Sequence, residues 1–167
     1  MSQPVPPPSG NPYAQGTPGT PGNPFAPAPP PAPVRNNIGL GLVVAVVAAL
    51  VSAGAYGALA GAIEAEVGYA AVAVGFLIGF AAAKVGGPNP VLPIVSAVLA
   101  VGAVYLGQLV GIAMIVADEL GGSFTDVFFD QFSLLTDAWS EVADGMTYLF
   151  LAIGAITAFG GAKKANG

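Results

Sequence analysis

Four long apolar stretches, separated by short polar links, dominate the chain after its first 36 residues. The clearest lies between Lys84 and Asp118, where no charged residue occurs for 33 positions. From Val91 it reads VLPIVSAVLAVGAVYLGQLVGIAMIVA, which is 27 residues. A hydrocarbon core of about 30 Å needs roughly 20 helical residues to cross it, so this run predicts a tilted membrane span over 91–117. The same reading predicts spans over 38–63, 67–85 and 142–161, the last strictly apolar only over 148–159. A short link with Glu64 and Glu66 joins the first two. Gly86-Gly87-Pro88-Asn89-Pro90 breaks the chain before the third, and Pro93 falls in that helix's first turn, where a missing N–H does no harm.

Inside the spans, small residues recur every four positions. Ala45, Ala49, Ala53, Gly57 and Gly61 mark one stripe, Gly75 and Gly79 a second, and Gly107 and Gly111 a third. Such stripes let another backbone approach closely. A four-helix monomer is not expected to bury all of them. They therefore point to a homo-oligomer or to a place among other membrane proteins.

Between the third and fourth spans the pattern changes. Phe124, Val127, Phe128, Phe132, Leu135 and Trp139 are spaced by three or four, with Asp126, Asp130 and Asp137 on the other side. This predicts an amphipathic helix over 124–139, opened by a Ser123–Asp126 capping box. A membrane-surface anchor is usually basic. This stretch is acidic, so it is expected to cap its own bundle. Residues 1–36 hold thirteen of the sixteen prolines and one charge, Arg35. They predict a disordered cytoplasmic tail, either a docking strip for an aromatic groove or a solvated spacer. Residues 162–167 are expected to form a second short tail. The fold class is all-α: a four-helix membrane bundle over 37–161 with an amphipathic outer helix.

Charge then fixes an orientation. With four spans, Arg35, Lys84, Lys163 and Lys164 fall at one end, and these are all four basic residues. Glu64, Glu66, Asp118, Glu119, Asp126, Asp130, Asp137, Glu141 and Asp144, all nine acidic ones, fall at the other. Basic residues in short loops stay cytoplasmic, so both termini are expected inside, in a bacterial plasma membrane. Four scattered basic residues exclude a nucleic-acid surface. The lack of Cys and His removes disulfides, the usual zinc sites and thiol or imidazole catalysis.

Few residues offer chemistry. Gln108, near the middle of the third span and close to Tyr105, either lines a polar path or makes an interhelical hydrogen bond. Glu64 and Glu66 either draw cations or form a solvated turn, with no calcium-loop pattern to fix an ion. Trp139 and Tyr148 fit an outer aromatic belt. Ser96 and Thr157 are expected to bond back to their own helices. No serine has a general base at depth, so no enzyme, cofactor or metal is expected.

The Pro-rich tail, the hairpin Glu66-Val67-Gly68-Tyr69 and the following Gly75-Phe76-Leu77-Ile78-Gly79 resemble a group of small bacterial four-span membrane proteins, actinobacterial members especially. The resemblance implies a fold and a location and carries over no activity or site. The expected function is a non-enzymatic packing or scaffolding subunit in the lipid bilayer. The alternative is a small channel or transporter with an acidic outer vestibule.

Overall fold

The computed structural model describes residues 36–64 and 67–167. The expected disordered tail through Arg35, and Glu66, lie outside them. The described chain is all-α: α1 (Ile38–Ile63), α2 (Gly68–Gly86), α3 (Val91–Leu120), α4 (Phe132–Val142) and α5 (Gly145–Lys164). Four of these, all but α4, are long and apolar enough to cross a membrane. The chain is a multi-pass membrane protein.

Local chemistry sets the ends. Asn37 caps α1, its Oδ1 accepting from the Leu40 N–H at 3.3 Å, and Asn89 Oδ1 accepts from the Val91 N–H at the start of α3. The third span runs three residues past its predicted end, taking Asp118 and Glu119 into the helix. A polar turn beyond the bilayer costs a helix nothing, and α3 stops only at Gly121, whose φ of 63° is left-handed. The fourth span starts at Gly145 rather than 142, because Asp144 is its N-cap. It also runs on through Lys164, so the first three residues of the predicted C-terminal tail, 162–164, are helix.

The helices pair as α1 with α3 and α2 with α5, while α1 and α5 occupy opposite corners and do not touch. Small residues make both pairs. A methyl group on Gly79 would overlap the Ala158 carbonyl oxygen, and one on Gly75 would overlap the Gly154 carbonyl and the Thr157 hydroxyl. On the other pair, Gly57 lies against Val110 and the Gly107 carbonyl, and Gly61 against Met114. Gly107 makes room for the Tyr56 ring, and Gly111 faces Ala60. Ala45, Ala49 and Ala53 are buried in the same core as Val74, Ile78, Ala100 and Val104. Every stripe is thus used within one chain, which corrects the expectation that a monomer leaves some of them free. The reason is geometric: α1 runs parallel to α3 and α2 parallel to α5, in register, so each small face meets a partner along its length.

The basic end is sewn shut by backbone. The Asn37 N–H donates to the Gly86 carbonyl at 2.9 Å, and Asn166 Nδ2 donates to the Gly87 carbonyl at 3.2 Å. Thr157 bonds back to the Ile153 carbonyl as expected. Ser96, fully buried, makes no hydrogen bond, so its expected bond to its own helix is absent.

If close backbone contact holds the bundle, Gly79→Ala should lower stability by about 1–3 kcal/mol, the usual range for overpacking. Gly102→Ala, with nothing within 4 Å of its added methyl, should leave it unchanged or slightly raise it. Thermal unfolding in detergent decides; equal losses from both would contradict the pairing.

Candidate functional site: a cleft under the cap

The four spans differ in length. At 1.5 Å per residue, the 30 residues of α3 extend about 45 Å, well over a hydrocarbon core of about 30 Å. The 19 residues of α2 and 20 of α5 barely cross it. Gly68, at the start of α2, meets Phe150 near the start of α5. Above that level α1 and α3 continue without α2, with only the first residues of α5, 145–149, beside them, and the cap settles on the flank of α3.

The cap is not the single helix the periodicity predicts. A π-helical turn at Asp126–Asp130 and a break at Gln131 divide it from α4. Val127 and Leu135, eight positions apart, would point about 80° apart on a regular helix. With the widened turn both are buried on the same cluster as Leu109, Ala113 and Ala117 of α3. Around the turn Phe128 stacks on Phe124 at 5.4 Å and meets Phe129 and Phe132 edge-on. Phe129 stays 71% exposed and Leu134 60%, so the apolar residues form two faces, one on the bundle and one outward. The expected capping box at Ser123 does not form. Ser123 Oγ accepts from the Thr125 N–H and lies 2.6 Å from the Thr125 hydroxyl.

Trp139 turns into the bundle rather than outward to an interfacial belt. Its indole N–H donates to Gln108 Oε1 at 2.8 Å. The ring meets Tyr105 edge-on at 4.8 Å and Tyr148 edge-on at 6.0 Å. Gln108 is 8% exposed, and it lies about 26 Å along α3 from Val91 by helical rise. That is just past the midpoint of α3, where a polar amide is costly unless bonded, and the bond to Trp139 answers it.

Beside this bond lies a cavity of about 210 Å³. Tyr56, Ala60 and Glu64 line it from α1, and Gln108, Gly111, Ile112 and Ile115 from α3. Trp139, Val142, Ala143 and Thr147 close the remaining side. Glu64 is exposed and is the αL cap of α1, with φ 51°, a conformation non-glycine residues seldom adopt. Of the candidate residues, Gln108 and Glu64 therefore share one cavity, while Tyr105 sits behind Trp139. The small-residue stripes lie below it, except Gly111 in its wall. Tyr56, Trp139 and Thr147 were not singled out as cavity residues by pattern. The one available signal was Trp139 in phase with Leu135, which places both on the bundle side.

Asp144 anchors the last wall. Its Oδ1 accepts from the N–H groups of Met146 and Thr147, each at 2.9 Å, and the Thr147 hydroxyl donates to it at 3.1 Å. With the Thr147 hydroxyl also accepting from the Asp144 N–H, this is a reciprocal capping box. The bonds from Thr147, backbone first and then side chain, hold the carboxyl below its ordinary value of 3.8. Among the described residues, no group of three or more His, Cys, Asp or Glu is placed to hold a metal ion. No protein-family model matches the chain, and no curated protein or solved structure matches it either.

Two outcomes follow. A double-mutant cycle with Gln108→Leu and Trp139→Phe should give a coupling of about 0.5–1.5 kcal/mol in thermal unfolding; zero coupling would mean the bond carries nothing. For Asp144, a folded pKa below the unfolded one stabilises above the unfolded value and is lost as pH falls through the folded one. The stability gap between the wild type and Asp144→Ala should hold at neutral pH and narrow below 3.8. A gap independent of pH would refute the charged cap.

Proposed function

We propose that this chain is a non-enzymatic protein of the bacterial plasma membrane that holds a small ligand in its outer cleft. One observation carries the reading: a cavity with an amide, two aromatic side chains and one carboxylate converging on apolar walls. Pockets that bind small molecules combine apolar walls with few placed polar groups in this way. The resemblance to small bacterial four-span proteins supports the location.

Both termini are cytoplasmic and the cap is outside in this reading. Its support is the separation of all four basic residues from all nine acidic ones. A scaffolding role has lost its support, because the stripes that called for a partner are spent inside the bundle. A channel keeps the acidic mouth but finds its route filled. Below the cleft Ile78, Leu92, Val104 and Ala158 are wholly buried.

The absence of cysteine makes accessibility a clean test. Single cysteines at Ile112 and Ala143 should react in intact cells with a small membrane-impermeant thiol reagent, as should one at Ser123. Cysteines at Val104 and Gly87 should not. Silence at Ile112 and Ala143 would remove the cleft, and labelling at Gly87 without Ser123 would reverse the orientation.

A further inference from the structure

We infer that the outer cleft takes a small organic ammonium ion, with Glu64 facing the charge and aromatic and apolar walls taking its alkyl groups. The inference rests on the reading of the cleft as a binding site. Electrostatics comes first. Glu64 lines the cavity, and the described basic residues, Lys84, Lys163 and Lys164, lie in the last turns of α2 and α5, at the far end. None of these three lysine side chains can reach Glu64 over that span. Two helix C-termini also end at the cleft, α1 at Glu64 and α4 beside Val142. The negative ends of their helix dipoles add partial negative charge. The one N-terminus there, that of α5, is already answered by Asp144. A low-dielectric cleft lined by one sign of charge focuses field and concentrates cations.

The walls then choose among cations. Calcium takes six to eight oxygens, and among the described residues one carboxylate, that of Glu64, lines this cavity. A hydrated metal ion would also leave Ile112 and Val142 against its water shell. An alkylated ammonium ion reverses both objections. It needs one diffuse counter-charge, its methyl groups suit apolar walls, and its charge is attracted to aromatic rings such as those of Tyr56 and Trp139, which line the cavity. An anion meets Glu64 as a like charge, and a neutral molecule gains nothing from it.

Trp139 is the protein's one tryptophan, so intrinsic emission reports on the cleft directly. The full chain, in nanodiscs of pure phosphatidylglycerol, is titrated with choline and with neohexyl alcohol, its uncharged carbon isostere. Choline should change the emission saturably, and the alcohol should require about tenfold more. Glu64→Gln should weaken choline about tenfold and leave the alcohol unmoved. Equal potency of the two probes, or indifference of choline to Glu64→Gln, overturns the ammonium assignment.

The cysteine at Ile112 separates the two failures. If it reacts from outside, but choline neither protects it nor alters Trp139, the cleft stands and the ammonium assignment falls. If it does not react, the cleft itself falls. Replacing part of the lipid with phosphatidylethanolamine distinguishes the source of the charge. Competition with choline marks a lipid headgroup as occupant, and undiminished choline binding marks a free ion. Either result keeps the ammonium chemistry.

Discussion

The structure depends on backbone lying against backbone within α2–α5 and α1–α3. Lipid is as apolar as the helix surfaces, so burying leucine between spans yields little hydrophobic gain. What remains is dispersion, which falls off steeply with distance. Glycine and alanine at four-residue spacing are the means by which two helices come close enough to collect it. Gly79 against the Ala158 carbonyl is the extreme case, with no space for a methyl group. The larger apolar side chains are accordingly turned outward: Val43, Val47, Leu50 and Val51 on α1 are all exposed, as a lipid-facing surface requires.

Unequal helix lengths convert that packing into a site. Equal spans would have ended together, leaving a flat outer surface. Here α1 and α3 stand above the start of α2, and α1 and α5 never touch. The gap across the top of α3 is what the cap partly fills. The bond from Trp139 to Gln108 pins the cap at one point and leaves the cavity open beside it. Site and fold are therefore coupled through a single residue of α3.

The spans and small-residue stripes were legible in the sequence because the bilayer imposes a length and close packing imposes a period. The limits of that reading are equally physical. A stripe such as Ala45 to Gly61 announces a contact but not whether the partner belongs to the same chain. The heptad-like spacing of Phe124 to Trp139 assumes a regular helix, and the π turn at Asp126–Asp130 departs from it. Hydropathy places Gln108 near the middle of α3 but gives no sign that its amide meets Trp139 of the cap. Nothing local to Tyr56 or Thr147 marks them as neighbours of Gln108, since that meeting is created by three helices at once.

The cap and the bundle are held by different forces. Outside the hydrocarbon, water is again the competing solvent, so burial of Val127 and Leu135 is each worth about 1.5–3 kcal/mol. The edge-on pairs of Trp139 with Tyr105 and Tyr148 add about 0.5–1.5 kcal/mol apiece. Against this stands repulsion among the acidic side chains of the outer end, including Asp126, Asp130 and Asp137, all exposed. Exposed charges are screened over a Debye length of about 8 Å at physiological salt, and such exposed pair energies are at most about 1 kcal/mol. Packing wins, and the exposed charge remains available to act on whatever approaches that end. An acidic rim is thus compatible with a firmly seated cap, because the residues that seat it and those that carry its charge lie on different faces.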